Sequence, residues 1–578
     1  MAKSMFGLAV VAIASAFAIM LSKAHSEDAP KGDPKPGESD WPCWRGPDHN
    51  GVAPSSPKLA DSWPKEGPKL LWRSGYIKSA DGGWSSCAVA DGKVYAYYVG
   101  CVPKDGSPNF RPFTSEILAK WGWREDVPAE LVKKIEDERK TEDWHKVLHG
   151  DWKNKAAMEA PAKKFIAGLD PKLAEKYADV IAARLIPQAD FPGGGCALGL
   201  GWEVLERLAR NKDKEFKGYR DFAIFCSDKI GINDGSYGEA IGAMFSPLGK
   251  GNDTLVCLDA NSGKDVWRKE FDGSPLKYDY AGSCTPVVAN GQVYLGGMYG
   301  LYCCSARDGA AVWQKKLERP GNPYSSPLVL KGILISCAEG GVSGYDAETG
   351  KLLWTEDWQV AQGGKPSPVV WERDGKAYII YASWHLSCID PASGKIVWQV
   401  KEGGGDLTTP VISGDYVQVA HGTKLRVYKM TPEKAELVWE RKDYTEGYSG
   451  SALIYQDCIY ESHDGIERCL DLKTGDVKWT TKDVSYEYSS PCIVDGKVFG
   501  YQRWTDHEIH MWRPRPEKFE LLGQFRPKFE NLIPGEKGDN FHIRDVNYIT
   551  SPAIANGKLY VRMVDSVYCY DLIEAGNR

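Results

Sequence analysis

Residues Leu386–Val400 read LSCIDPASGKIVWQV, and the chain writes the same line again: TLVCLDANSGKDVWRKE from Thr254, VSGYDAETGKLLWTED from Val342, IERCLDLKTGDVKWTTK from Ile466. Aligned on the tryptophan, the copies place Trp267, Trp313, Trp354, Trp398, Trp439 and Trp479 at intervals of 40 to 46 residues. A period near 40 marks a repeat architecture. A second phrase precedes each copy, with a small residue and often a proline leading into an apolar run: SCTPVV at Ser283, SSPLVL at Ser325, PSPVVW at Pro366, TTPVIS at Thr408, SSPCIV at Ser489, TSPAIA at Thr550.

Inside one unit the apolar residues alternate with period two and are rich in β-branched and aromatic types. SPVVW, the Asp374-Gly375 turn, KAYIIYAS, a short turn, LSCID, the PASG turn and KIVWQV make four hairpin-linked strands. Asp390 accepts hydrogen bonds from the turn backbone, and Gly394 takes the positive φ that the turn needs. The opening line is therefore a third strand, its turn and a fourth strand, and four such strands make one propeller blade.

These motifs resemble the pyrroloquinoline-quinone-like (PQQ-like) repeat family of β-propellers, with VCLDANSGKDVW (Val256–Trp267) and YDAETGKLLW (Tyr345–Trp354) as the most specific matches. WPCWRGPDHNG (Trp41–Gly51) is similar to the N-terminal phrase of secreted planctomycete-type members. The expected fold is an all-β, eight-bladed propeller of the quinoprotein alcohol dehydrogenase type, with units beginning near Ser85, Ser283, Ser325, Ser367, Thr409, Gly450, Ser489 and Ser551. Seven blades is the alternative, because the seventh unit is degenerate around Trp512. The last unit ends without a tryptophan-bearing strand, whereas KLLW at Lys69–Trp72 has no three strands before it; that segment is expected to close the ring and remove its open edges.

The expected organisation is an export signal at 1–26, a linker and N-terminal extension at 27–66, the closing strand and start of the first blade at 67–100, a mainly helical insertion at 101–250, and the rest of the propeller at 251–578. The signal reading rests on Lys3, the apolar run Met5–Leu21 and the small residues Ala24 and Ser26. It implies a periplasmic or secreted protein with no stable membrane span once the signal is cleaved. SEILAKWGW, AELVKKIEDERK, PKLAEKYADVIAARLI and GWEVLERLAR carry apolar residues at helical spacing, and Asp170-Pro171 is a helix start signal. The family resemblance roots this insertion on the face where such propellers bind ligands.

A net charge of -6 without a basic face argues against nucleic acid as a partner. The chain has 15 cysteines, and Cys257, Cys303, Cys388, Cys469 and Cys569 recur two positions before the Asp site of the repeat. Five equivalent positions are not one active site, so these are read as small buried packing residues. Cys458 and Cys469 flank one turn symmetrically, which leaves a disulfide there open. Cys303-Cys304 sits in a third strand, whose adjacent side chains point to opposite faces. It is therefore read as packing rather than as the vicinal disulfide of the family's dehydrogenases.

The turns between second and third strands hold His385, His421, His463 and His507, with Asp464 and Arg562 beside them, and Glu339, Asp506 and Asp565 sharing the rim. Imidazoles converging on a pore would suit a metal or an anion; solvated residues on separate blade tips are the other reading. No hydrolase triad, P-loop, CxxC metal site or dinucleotide fingerprint is present. The functional expectation is a binding or scaffolding module for an unknown protein, small-molecule or carbohydrate ligand. A PQQ- and calcium-dependent alcohol or sugar dehydrogenase is the alternative, and an outer-membrane assembly scaffold the second.

Overall fold

The computed structural model describes residues 37–77, 85–148, 155–186, 200–218, 221–222, 225–231, 249–275, 282–317, 324–339, 341–356, 365–405, 407–445, 450–486, 489–502, 508–527, 551–563 and 566–574. The expected export signal lies outside them. Eight four-stranded antiparallel sheets form the blades of a propeller. In seven of them the strands follow in chain order from the axis outward. In the eighth, Ala553–Ala555, Lys558–Arg562 and Val567–Asp571 are completed by the N-terminal strand β1 (Leu70–Arg73), which pairs antiparallel with the third strand through Trp72 opposite Cys569. The ring closes as the sequence predicts, with eight blades.

Two sets of contacts bind neighbouring blades. On the outside, each repeat tryptophan donates its indole N–H to a carbonyl just after the Asp site of the next blade: Trp267 to Ala306, Trp313 to Ala347, Trp354 to Pro391, Trp398 to Thr431, Trp439 to Leu472 and, one residue further on, Trp479 to Arg515, at 2.7–3.3 Å. Trp72 does the same from blade 8 to Ala260 of blade 1 at 3.1 Å. The turn glycine lies flat on the indole. A Cβ on Gly394, at φ +73°, would come within 2.4 Å of Trp354.

Near the axis, the small residue of the second phrase builds a closed belt. The Ser86 N–H donates to the Thr285 hydroxyl, Thr285 to Ser326, Ser326 to Ser367, Ser367 to Thr409, Thr409 to Ser451, Ser451 to Ser490 and Ser490 to Ser551, all at 2.8–3.3 Å. The Ser86 hydroxyl then donates to the Ser551 carbonyl at 2.7 Å, closing the circle. These hydroxyls satisfy backbone groups that would otherwise be buried without partners.

Cross-strand pairing explains the recurring cysteines. Cys257, Cys303, Cys388, Cys469 and Cys569 each stand opposite a repeat tryptophan: Trp267, Trp313, Trp398, Trp479 and Trp72. A large indole needs a small neighbour; blade 3 uses Gly344 opposite Trp354. Burial pushes the Cys388 thiol up to about 12, which leaves it unreactive. All thirteen cysteines whose side chains are described are free and buried. The disulfide left open between Cys458 and Cys469 is not formed. Register pairs Tyr460 with Cys469 and Cys458 with Asp471, so the two thiols are diagonal and hydrogen-bonded rather than bridged.

Blade 7 is regular in topology, with strands Cys492–Val494, Lys497–Gln502, Glu508–Trp512 and Leu521–Phe525. Its chemistry is inverted: Trp512 lies in the third strand, and the fourth strand has Gly523 opposite Met511, where six other blades have tryptophan opposite Cys or Gly and blade 5 has Trp439 opposite Val427. The N-terminal segment repairs this. Trp63 lies against Gly523, edge-on to Phe525 at 5.4 Å, and the Ala60 N–H donates to the Leu572 carbonyl at 2.8 Å, the bond that a repeat indole makes elsewhere. The buried Lys497 ammonium anchors the segment, 3.2 Å from Asp61 and 2.6 Å from Asp495.

In blade 1 the second strand (Lys93–Pro103) and the third (Gly249–Asp259) pair along all eleven residues. The segment between them holds helices at Ser115–Lys120, Ala129–Glu138, Glu142–Leu148, Lys155–Ala167, Pro171–Lys176, Ala178–Leu185 and Trp202–Arg210. Asp170 caps the helix at Pro171 by accepting from Lys172 N and Leu173 N. Phe110, Phe113 and Phe216 pack in one core with Tyr97 of blade 1 and Tyr302 of blade 2. The helical segment therefore stands over the junction of blades 1 and 2.

Candidate functional site

The two mouths of the ring differ. Asp40 accepts from Asp91 N and Asn556 Nδ2, turn residues at the first-to-second-strand ends of blades 1 and 8. From there the chain crosses the axis. Trp41 exchanges two backbone bonds with Val89 of blade 1, and the Pro42 carbonyl accepts from Val288 of blade 2. The Trp44 indole donates to Thr409 Oγ1 of blade 5, and Arg45 donates to the Ser451 and Ala452 carbonyls of blade 6. Blades 1 and 2 lie across the ring from blades 5 and 6, so WPCWR spans the axis. Gly51 and Ala53 then bond to Ile493 of blade 7. This segment plugs the mouth on the Asp-x-x-Ser/Thr-Gly side. Burial lowers the Arg45 guanidinium to about 10 and the His49 imidazole to about 4.

The opposite mouth carries the second-to-third-strand turns, where the candidate residues were expected. His385 and His421 are partly exposed there. The Glu402 N–H donates to His385 Nδ1 at 3.0 Å, and the His421 ring stands edge-on to Trp384, the exposed tryptophan of the neighbouring turn, at 5.4 Å. Asp464 is exposed, at φ +46° in its turn. His507 lies outside the described residues, as do Asp506 and Asp565.

Two expected rim residues are buried instead. His463 packs on Tyr444 at 5.3 Å and donates to Glu461, which also accepts from Arg468; Arg468 in turn reaches Asp443 at 2.9 Å. Arg441 and Arg468 hold the Asp443 carboxyl down at about 2. Arg562 is fully buried, its guanidinium 4.1 Å from the Tyr98 ring and bonded to the Tyr97 carbonyl. Both were expected in solvated turns. Each ends its second strand, as the partly exposed His421 does, but the Tyr444 ring covers His463 and blade 1 covers Arg562. His421, His463 and the third-strand His510 each lie beside an aromatic ring, Trp384, Tyr444 and Tyr486 respectively. The imidazoles thus line blade seams and do not converge on the axis. Glu339 is likewise committed, to Lys315 at 2.7 Å and to the Tyr345 hydroxyl.

Besides Glu461, sequence reading missed two further buried acids. Asp253, in the third strand of blade 1, accepts from the Tyr97 and Tyr302 hydroxyls and from Met298 N and Tyr299 N at 2.6–2.9 Å. Burial pushes its carboxyl up although all four donors pull it down. It locks the second-to-third-strand turn of blade 2 to blade 1 beneath the helices. Glu467, in the third strand of blade 6, accepts from Ser462 and is pushed up to about 8 by burial, with Glu461 adding to the effect. The available signal was a charged residue in the buried phase of a strand: NDTLVCLD and GIERCLD.

Two observations on the described residues bear on a quinone and calcium cradle. Among them no three His, Cys, Asp or Glu side chains come together as a metal site. Cys303 and Cys304 pack into two different cores on opposite faces of their strand.

Comparison with known proteins agrees with the repeat. The family described as outer membrane protein assembly factor BamB matches residues 251–481. Quinohemoprotein alcohol dehydrogenase ADH IIB of Pseudomonas putida is 38% identical over 117 residues, 17% of this chain and 17% of that protein. BamB of Shewanella oneidensis is 22% identical over 305 residues, 42% of this chain and 76% of that protein. The chain thus spans less than a fifth of the dehydrogenase and about three quarters of the assembly factor. Among solved structures, BamB of Moraxella catarrhalis has a TM-score of 0.41 at 16% identity, covering 54% of this chain and 86% of that one. Quinohemoprotein alcohol dehydrogenase of Comamonas testosteroni has a TM-score of 0.39 at 13% identity, covering 56% and 73%. The blade motif, the tryptophan docking and the match over residues 251–481 support a place for the chain in the PQQ-like repeat family of β-propellers.

Proposed function

We propose that the chain is an exported binding or scaffolding module, acting in the periplasm or outside the cell, that recognises its partner on the second-to-third-strand face. The observation that carries this reading is the plug: residues 39–53 close the axis on the other face. Relatives named as outer membrane protein assembly factors support a protein partner. No helix among the described residues is long and apolar enough to cross a membrane. A photo-crosslinking side chain at His421 should yield a specific adduct in the native host, whereas one at Ser393, on the plugged face, should not. Adducts from Ser393 alone would place recognition on the wrong face.

The second reading, a PQQ- and calcium-dependent dehydrogenase, is favoured by the 38% identical stretch. Adding the quinone with calcium to purified protein separates the two. The binding-module reading expects no bound quinone absorbance, and stoichiometric absorbance would replace it with the enzyme.

A further inference from the structure

An asparagine followed by glycine is chemically exposed, because glycine puts no side chain between its own backbone nitrogen and the asparagine amide carbon. The chain has three such pairs: Asn50-Gly51, Asn290-Gly291 and Asn556-Gly557. The last two form the turns between first and second strands of blades 2 and 8, with the asparagine in solvent. Both residues of each turn have positive φ, +52° and +73° in one and +52° and +74° in the other. Such turns favour Asn-Gly or Asp-Gly. Blades 1, 4 and 7 carry Asp91-Gly92, Asp374-Gly375 and Asp495-Gly496 at the same place, so the blade accepts a carboxylate there.

Their surroundings separate the three pairs. The Gly51 N–H is held by the Arg45 carbonyl at 2.9 Å, and a Cβ on Gly51 would come within 2.7 Å of Leu453. Gly291 faces open space, where a Cβ would meet nothing within 4 Å. Asn556 anchors the plug: its Nδ2 donates to Asp40 Oδ1 at 2.9 Å and its backbone N–H to the Ser39 carbonyl at 3.2 Å, while Asp40 Oδ2 accepts from Asp91 N at 3.0 Å. We propose that Asn556 is a deamidation site and that its conversion releases the root of the plug from blade 8. The Gly557 nitrogen attacks Asn556 Cγ, the Cγ–Nδ2 bond breaks with loss of ammonia, and water opens the resulting succinimide to aspartate or isoaspartate. A donor to Asp40 is thereby replaced by a second carboxylate, so that two acceptors of like charge face each other. The same conversion at Asn290 leaves the bonds of the plug untouched. The inference concerns the plugged mouth and stands whatever partner the opposite face takes.

The full chain, incubated in mildly alkaline buffer and then digested, should show the mass gain of amide-to-acid conversion first at Asn290, later at Asn556 and not at Asn50. Hydrogen exchange reads the consequence. Asn556→Asp should speed exchange across residues 39–53 by about tenfold or more, since a bond to a charged group is lost. Asn290→Asp should leave that exchange unchanged. Adding Asp40→Asn to Asn556→Asp restores one donor and one carboxylate to the contact and should bring slow exchange back. An Asn556 peptide that keeps its mass while the Asn290 peptide converts completely would overturn the modification. Exchange unmoved by Asn556→Asp, or not rescued by Asp40→Asn, would overturn the release of the plug.

Discussion

Two blade junctions solve one packing problem in different ways. Between blades 3 and 4 a single residue serves: Trp354 stands opposite Gly344, lies under Gly394 and donates to the Pro391 carbonyl. Between blades 7 and 8 the same tasks fall to three residues from two distant parts of the chain. Met511 supplies the volume opposite Gly523, Trp63 the indole and Ala60 the backbone donor. What the ring requires is an aromatic plate and a donor at each seam, and the strand that delivers them is negotiable. A degenerate repeat survives where a neighbouring segment supplies the missing group.

The most drastic way to break the equivalence is truncation. Deletion through Arg73 removes the plug, the repair of blade 7 and the closing strand together, and should abolish cooperative unfolding. Deletion through residue 36 should leave it intact. Equal melting curves for the two would refute ring closure by β1.

Substitution asks whether the two junctions are worth the same. Trp63→Ala and Trp354→Ala should each cost about 3 kcal/mol, as large-to-small core changes do. Rebuilding blade 7 in the regular manner, with Gly523→Trp and Met511→Cys, should then make Trp63→Ala much cheaper in denaturant unfolding. An undiminished cost would show that Trp63 does something other than stand in for the repeat tryptophan.

Acidity sharpens the comparison at the seam leading into the irregular blade. Glu467 titrates near the ordinary 4.5 when unfolded and at about 8 when folded, so the fold holds an extra proton between those values. Its stabilising contribution is complete below 4.5 and is lost as the pH rises to about 8. Glu467→Gln should flatten that decline, by on the order of 2 kcal/mol between pH 5 and pH 8. An identical slope in the variant, measured by thermal unfolding across that window, would contradict the buried, protonated state.

The smallest effect belongs to a regular blade. Cys388→Ala, opposite Trp398, should cost about 1 kcal/mol and leave any ligand binding unchanged. Loss of binding at preserved stability would mean that the repeat position hides a site.

Most of the architecture was legible because it repeats. Blade count, closure by the KLLW strand, the turn role of Asp390 and Gly394, and the packing role of the third-strand cysteines all follow from period-two alternation and phase. What the sequence could not show is contact made by segments outside the repeat. Nothing in WPCWRGPDHNG announces a plug across the axis, and nothing around Trp63 announces that it serves Gly523. The histidines show the limit most clearly. His421 and His463 occupy equivalent turn positions, yet one is partly exposed beside Trp384 and the other is buried against Tyr444. The neighbouring blade decides which, and a single blade's pattern carries no information about its neighbour.

Closure by β1 also sets a clock. Its partner strand, Val567–Asp571, lies about 500 residues further along, so at roughly 10 residues per second a ribosome needs about 50 seconds to supply it. Throughout that interval Leu70–Arg73 is an apolar strand with two open edges, the state most prone to pair with another chain. A holdase that shields the N-terminal hundred residues until synthesis ends would therefore govern the yield of this protein more than any single contact in the finished ring.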